Sequence, residues 1–287
     1  MNSFNSKESL GMVFAIFAYF SFAILDAFQK TAVLYHSIFQ LLLIKYIFVL
    51  FLSYFESRRK KNNFFYKTQN TKMQILRSVL SIIESACFIL AFRHLPLGDA
   101  HSIGSLTPVI VVVLSVIILK EYVPPKTWIA IFIGFVGVLI IMRPGFSIFD
   151  PKSIIPLVAS FFLGLYQITT RQVSQYDPPE TSLFYNSVVG IFLTGILSYF
   201  YWQQLTSTSF IFFILVGIFF SLGLYFQIIA LAKARASIIQ PLHYTLIFWA
   251  IIWGYIFYDD LPDFFTFFGA IIITVSGVYV LSNKISK

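Results

Sequence analysis

Long apolar runs recur along the whole chain and are separated by short polar stretches. A helix that crosses the hydrocarbon core of a bilayer, about 30 Å thick, needs about 20 consecutive apolar residues. Runs of that length leave little chain for a soluble domain. The pattern predicts an all-α membrane protein with ten transmembrane helices, at 10–29, 36–55, 74–93, 97–119, 127–143, 153–172, 181–202, 209–230, 237–258 and 262–282.

The composition agrees with this assignment. The 287 residues are 58% hydrophobic and only 11% charged, whereas a soluble domain is about 45–50% apolar and about 25% charged. A water-soluble enzyme, a disordered chain and a fibrous protein are therefore excluded. The net charge of +8 comes from short basic tracts between apolar runs, as in membrane loops, so nucleic acid is not an expected partner. A single cysteine, Cys87, excludes an intrachain disulfide.

Lys and Arg are distributed unequally between the two sides of the predicted helices. With a cytoplasmic N-terminus, 15 of the 20 basic residues fall on the cytoplasmic side, 4 fall outside, and Lys45 lies within a span. Because basic residues collect in cytoplasmic loops, tails 1–9 and 283–287 are predicted to be cytoplasmic. The many Phe, Ile, Lys, Asn and Tyr residues suggest an AT-rich bacterial genome, so the expected location is the inner membrane. The basic loop 56–72 is expected to contact anionic membrane lipids.

An internal repeat relates residues 10–145 to residues 153–282. The first span of one half ends F-S-F-A-I-L-D-A-F-Q-K at Lys30, and that of the other ends F-L-G-L-Y-Q-I-T-T-R at Arg171, at an offset of 141. Each half contains five predicted spans, an odd number, so the second half enters the membrane from the opposite face. Inverted repeats with a site at their interface are typical of secondary transporters.

The stretch from Leu76 to Gly145 resembles the first repeat of the EamA family, within the drug/metabolite transporter superfamily. The residues that carry the resemblance are L-R-S…A-F-R-H-L-P-L-G-D-A…L-T-P…I-L-K-E…G-F-V-G-V-L-I-I-M-R-P-G. The second half repeats the pattern in weaker form, so the resemblance covers essentially the whole chain. Two positions depart from the family pattern: Asp259-Asp260 replaces the usual Gly-Glu, and Glu84 lies where the family is commonly apolar or small.

The resemblance implies two inverted five-helix bundles around a central cavity, lined mainly by helices 1, 3, 4, 6, 8 and 9. It also implies transport of a small molecule. The family contains exporters of amino acids and metabolites, and importers such as the S-adenosylmethionine carriers of obligate intracellular bacteria. The substrate therefore does not follow from the resemblance.

Two charged residues, Lys45 and Glu84, fall in the middle of predicted spans. Each lies about ten residues from a cytoplasmic helix end, or about 15 Å deep, where a charge costs at least about 2.5–3.5 kcal/mol. An ion pair between them is geometrically possible. It would either join helices 2 and 3, or let Glu84 carry a proton or a cationic substrate under the control of Lys45. Arg77 shares a helical face with Glu84, and is expected to extend to the cytoplasmic headgroups.

Further polar residues lie in two layers around this pair. Asp26 and His101 belong to the outer third of helices 1 and 4, whereas Gln167 on helix 6 and three residues of helix 9 lie toward the cytoplasm. Pro108 and Pro241 free backbone carbonyls in the two halves, either as kinks or as ligands. The candidate substrate-binding residues are Asp26, Lys45, Glu84, His101, Pro108, Tyr166, Gln167, Gln240, His243 and Tyr244.

The chain contains no GxxxxGK phosphate loop, no HExxH or GxSxG motif and no CxxC pair, so neither a cofactor, a metal site nor an enzymatic activity is expected. The sequence instead predicts secondary active transport of a small polar metabolite by alternating access, with a proton or a counter-solute as the coupling partner. Candidate substrates are S-adenosylmethionine and other amino-acid-like or cationic metabolites. The alternatives are an exporter of amino acids or drugs, and a non-transporting scaffold or channel.

Overall fold

The computed structural model describes residues 6–95, 97–142 and 151–258, and short segments at 264–265, 267–269, 271–272 and 275–276. The regular structure of these residues is helical, with one 3-10 turn at Pro151–Ser153 and eleven α-helices. The α-helices are α1 (Ser6–Tyr35), α2 (Ile38–Arg59), α3 (Thr71–His94), α4 (Leu97–Gly104), α5 (Thr107–Ile118), α6 (Pro125–Met142), α7 (Ile154–Val173), α8 (Pro179–Phe200), α9 (Ser207–Lys233), α10 (Ala236–His243) and α11 (Thr245–Tyr258).

Six of these helices are long and apolar enough to cross a membrane, namely α1, α2, α3, α7, α8 and α9. A helix rises 1.5 Å per residue, so 20 residues span about 30 Å. Polar caps fix where several of them begin: Ser37 accepts a hydrogen bond from the backbone amide of Gln40 (3.1 Å), and Asn70 accepts one from Met73 (3.1 Å). The predicted all-α, multi-pass membrane architecture is thus confirmed.

The predicted spans 97–119 and 237–258 are each divided into two helices. In the first, α4 ends at Gly104, four residues before Pro108, whose ring would clash with that carbonyl in a continuous helix. In the second, Pro241 lies inside α10, and the helix is interrupted at Tyr244. Pro108 therefore divides its span more completely than a kink would, whereas the break in the other span follows Pro241 by three residues.

The count of ten transmembrane helices remains a prediction. Most of the last span, 262–282, lies outside the described residues, as do the Asp259-Asp260 pair and the predicted C-terminal tail. The N-terminal helix α1 begins at Ser6, within the predicted tail 1–9.

The helices of the two halves interlock rather than lie side by side. Helix α1 packs on α9, α10 and α11, and its counterpart α7 packs on α3, α4 and α5. Likewise, contacts of α2 with α9 are matched by contacts of α8 with α3, and α2 packs on α8 itself. Each contact thus recurs when the two halves are exchanged, as a pseudo-twofold relation between two repeats requires.

Glycines allow the closest of these contacts. A Cβ atom on Gly190 of α8 would lie 2.3 Å from the ring of Tyr46 on α2, and one on Gly217 of α9 would lie 2.3 Å from the ring of Phe48. In a bilayer such close packing drives helix association, because lipid provides no hydrophobic force between helices. By contrast, a Cβ atom on Gly195 would meet its nearest neighbour, Leu43, at an ordinary 3.8 Å.

We expect Gly190→Ala to lower the free energy of unfolding by about 1–3 kcal/mol, because the new methyl group would overlap Tyr46 and separate α2 from α8. The matched control on the same helix, Gly195→Ala, should change stability little. Thermal unfolding of both variants in detergent, followed by size-exclusion chromatography, measures the difference. Equal stability of the two variants would contradict this account of the α2–α8 contact.

Candidate functional site

A cavity lies between the two halves, bordered by residues of α1, α2, α3, α4, α7, α9, α10 and α11. It contains about 730 Å³ of space unoccupied by atoms, including the part that is open to solvent. Five of its lining residues were candidates from the sequence: Asp26, Lys45, Glu84, His101 and His243. The expected central cavity is therefore present, and helix α2 contributes to it through Lys45.

Lys45 is the most enclosed of these groups, with 1% of its surface exposed. Its ammonium group donates hydrogen bonds to Gln29 Oε1 (2.7 Å) and Ser85 Oγ (2.8 Å), and lies 4.4 Å from the centre of the Phe220 ring. Glu84 is not a direct ion-pair partner among the described residues. Glu84 and Asp26 line the same cavity and interact with Lys45 electrostatically.

Two histidines lie on the short halves of the divided helices, His101 on α4 and His243 on α10. His101 Nε2 is 3.7 Å from Asp26 Oδ2, which is too long for a hydrogen bond. The His101 ring packs against Phe92 at 5.4 Å between centroids, and His243 meets the ring of Tyr19 edge-on at 4.9 Å. Both histidines are half-buried at the cavity wall.

The cavity lining can accommodate a ligand that carries cationic groups. Two carboxyl groups, Asp26 and Glu84, line it together with the Lys45 amine, and carboxyl oxygens accept hydrogen bonds from cationic N–H groups. Aromatic rings, whose faces attract cations, also line the cavity at Phe22, Phe88, Phe92 and Phe220. The arrangement can hold an ammonium or sulfonium group near the two carboxyl groups.

The other five candidate residues do not line this cavity. Gln240 donates a hydrogen bond to Gln167 (2.8 Å), and the Tyr244 hydroxyl donates to the carbonyl of Ile131 (3.2 Å). The remaining two are Tyr166, which contacts Arg77, and Pro108, which lies in the first turn of α5. Their role in substrate binding remains a prediction.

The expectation that Arg77 extends to the lipid headgroups is wrong. Its surface is 0% exposed, because α7 and α8 cover it. The guanidinium donates to Tyr166 Oη (3.3 Å) and to the backbone carbonyl of Ser182. It also donates to Gln74 Oε1 (3.3 Å), and the Nε2 atom of Gln74 donates to Asp177 (2.7 Å). The sequence gives only the depth of Arg77 along α3, whereas Tyr166 and Ser182 come from helices of the other half.

A second set of polar contacts joins the two halves at the end predicted to be cytoplasmic. Glu121 accepts hydrogen bonds from the amide (3.3 Å) and hydroxyl (3.1 Å) of Ser237 at the start of α10, where a carboxylate is favoured by the helix dipole. Arg171 lies 3.4 Å from Glu121 and donates to the carbonyl of Leu231 (2.7 Å). Arg235 pairs with Glu8 at 3.1 Å. These contacts hold together the ends of α1, α7, α9 and α10 that are predicted to be cytoplasmic.

Sequence reasoning missed several lining residues. Gln29 and Tyr19 share one face of α1 with Phe22 and Asp26, at spacings of three and four residues, so the helical period around Asp26 was a usable signal. Ser85 lies next to Glu84. Gln227 on α9 had no such signal, since no charged residue marks the inner face of that helix.

Residues 9–143 and 153–283 of this chain each match the model of the EamA-like transporter family. The two matched stretches cover nearly all of the sequence, so the chain belongs to this family.

Relatives of the chain are named transporters. It is 23% identical to the pseudopaline exporter CntI of Pseudomonas aeruginosa, over 96% of both chains. It is 22% identical to the S-adenosylmethionine uptake transporter of Rickettsia conorii, over 76% of this chain and 74% of the relative. A solved crystal structure superposes with a TM-score of 0.80 on 98% of this chain and 99% of its own, at 12% identity, which shows a shared fold.

We expect Arg77→Lys to lower the melting temperature by about 5 °C, since a single ammonium group cannot reach the oxygens on both α7 and α8 that the guanidinium binds. The control is Arg58→Lys, because Arg58 is exposed and contacts the Tyr54 ring on its own helix. Thermal unfolding in detergent compares the two. Equal melting temperatures would show that Arg77 does not join the helices.

Proposed function

We propose that this member of the EamA-like transporter family is a secondary active transporter, which moves a small cationic or zwitterionic metabolite across the bacterial inner membrane by alternating access. The observation that carries the proposal is the cavity between the halves, in which Asp26, Glu84 and Lys45 meet inside apolar helices. Charged side chains within a bilayer cost free energy, and binding of a polar substrate would explain why they are present there.

Alternating access requires two halves that can exchange roles, and several features support it. The contacts between the halves recur when the halves are exchanged, and each half contributes one divided helix to the cavity. Inverted repeats of five spans each, with both termini in the cytoplasm, would relate the two open states by symmetry. The contacts of Glu121 with Arg171 and α10 would then separate when the cavity opens to the cytoplasm.

The cavity chemistry suits S-adenosylmethionine or another amino-acid-like cation. S-adenosylmethionine carries a sulfonium, an ammonium and a carboxylate. The two cationic groups suit Asp26, Glu84 and the phenylalanine rings. A relative named as an S-adenosylmethionine uptake transporter supports this substrate class, whereas a relative named as a pseudopaline exporter makes export the second direction to test.

Counterflow in proteoliposomes tests the function. Liposomes preloaded with unlabelled amino acids, nucleosides, S-adenosylmethionine or polyamines are given the labelled compound outside, and protein-free liposomes serve as the control. A carrier exchanges one compound and saturates, with S-adenosylmethionine as the expected substrate. Conductance without saturation or counterflow would indicate a channel, and the absence of any flux across the panel would contradict the proposal.

We expect Glu84→Gln to lower exchange at least about ten-fold, since the variant removes one of the two carboxyl groups that line the cavity, and to change the pH profile of transport. Arg93→Gln is the matched control on the same helix, because Arg93 is exposed at the end of α3. Initial exchange rates at several pH values measure both effects. Undiminished exchange with an unchanged pH profile would remove Glu84 from the mechanism.

A further inference from the structure

The surroundings of the Lys45 ammonium group are those of a cation-binding site. Its two hydrogen-bond acceptors, Gln29 Oε1 and Ser85 Oγ, are neutral oxygens, and the Phe220 ring lies 4.4 Å away on a third side. Oxygen acceptors together with an aromatic face are the groups that recognise an ammonium ligand. They come from α1, α3 and α9, so three helices converge on a single nitrogen atom.

The same site is where a substrate cation would be attracted. The titratable groups that line the cavity with Lys45 are Tyr19 and Asp26 on α1, Glu84 on α3, His101 on α4 and His243 on α10. Among the described lining residues, Lys45 is the only Lys or Arg. When protonated, Lys45 already places a positive charge among its acceptors, and a second cation entering that position would be repelled.

Lys45 and Arg77, the two Lys or Arg residues that are buried in the described part of the chain, differ in this respect. Arg77 is enclosed by helices on all sides, and its planar group is matched to fixed oxygens on α7 and α8. Lys45 borders open space, and its ammonium group can lose a proton, whereas a guanidinium in a protein does not. Lys45 can therefore become neutral by deprotonation while its side chain stays inside the helix bundle.

We infer that the Lys45 ammonium group is a tethered occupant of the cation subsite of the cavity, and that a cationic substrate binds by taking its place while Lys45 releases one proton. Protonated Lys45 and a free substrate cation become neutral Lys45, a bound cation and a free proton. The charge inside the cavity stays constant for a monovalent cation. The substrate step rests on the proposed transport function, but the existence of the subsite does not.

The direction of coupling follows from this exchange. A cation that binds from the cytoplasm releases a proton there, and protonation of Lys45 from the outside expels the cation on that side. The cation and the proton then move in opposite directions. An inward proton gradient would drive export of the cation, and uptake would proceed by exchange against another cation or down the gradient of the substrate.

Chemical rescue tests the subsite without a substrate. Lys45→Ala leaves Asp26 and Glu84 without their cation, so n-propylammonium chloride should raise the melting temperature of this variant in detergent by about 3 °C above sodium chloride at equal ionic strength. The wild type and the exposed control Lys72→Ala should show no such difference. If the two salts gave equal melting temperatures for Lys45→Ala, or if the wild type showed the same difference between them, the proposed cation subsite would be wrong.

Proton release tests the exchange in the wild type, and so does not depend on whether Lys45→Ala folds. Binding of S-adenosylmethionine to purified protein in weakly buffered solution with a pH-indicator dye should release about one proton per bound molecule. Lys45→Met should bind it without that release, and Lys45→Arg should not bind it, because its charge is permanent. Release that persists in Lys45→Met would overturn the exchange.

The two failures are distinguishable. If the wild type exchanges no compound of the counterflow panel, the transport function fails, and n-propylammonium rescue still decides whether the cation subsite exists. If the wild type exchanges a cation but releases no proton on binding it, the transport function stands and the inference about Lys45 is wrong.

Discussion

The absence of water from the bilayer core is the constraint on which the rest of this structure depends. Peptide groups there must find partners within their own segment, which selects helices, and the described residues accordingly form α-helices with apolar outer faces. The same constraint acts on buried charges. Arg77 and Lys45 are almost completely enclosed, and both are satisfied by oxygen atoms from neighbouring helices rather than by solvent.

These two cations lie in different surroundings. Around Arg77, one guanidinium joins α3 to α7 and α8, and the chain of contacts continues through Gln74 to Asp177. Around Lys45, the contacts border a cavity that also contains two carboxylates. In the proposed transport cycle, the contacts of Arg77 would keep the halves attached to one another while the charge distribution of the cavity changes.

The divided helices connect this chemistry to the architecture. Pro108 prevents a continuous helix from crossing the middle of the bundle, and the interruption in the other half lies close to Pro241. The short segments α4 and α10 carry His101 and His243 to the cavity wall. Because the two segments occupy corresponding places in the two halves, the cavity receives matching contributions from both sides of the pseudo-twofold relation.

The sequence by itself determined the membrane class, the positions of the long helices and the two-fold repetition, because apolar length and repeated order are properties of the chain alone. It also identified five residues of the cavity, since a charged or titratable residue inside an apolar run is conspicuous. Only the tertiary structure decided which polar groups meet. The helical period of α3 predicted which face of the helix carries Arg77, but it did not reveal that α7 and α8 bury this face. Likewise, Tyr166 and Tyr244 contact neighbouring helices and do not line the cavity. Such partners come from distant parts of the chain, and are fixed by how the helices pack against one another.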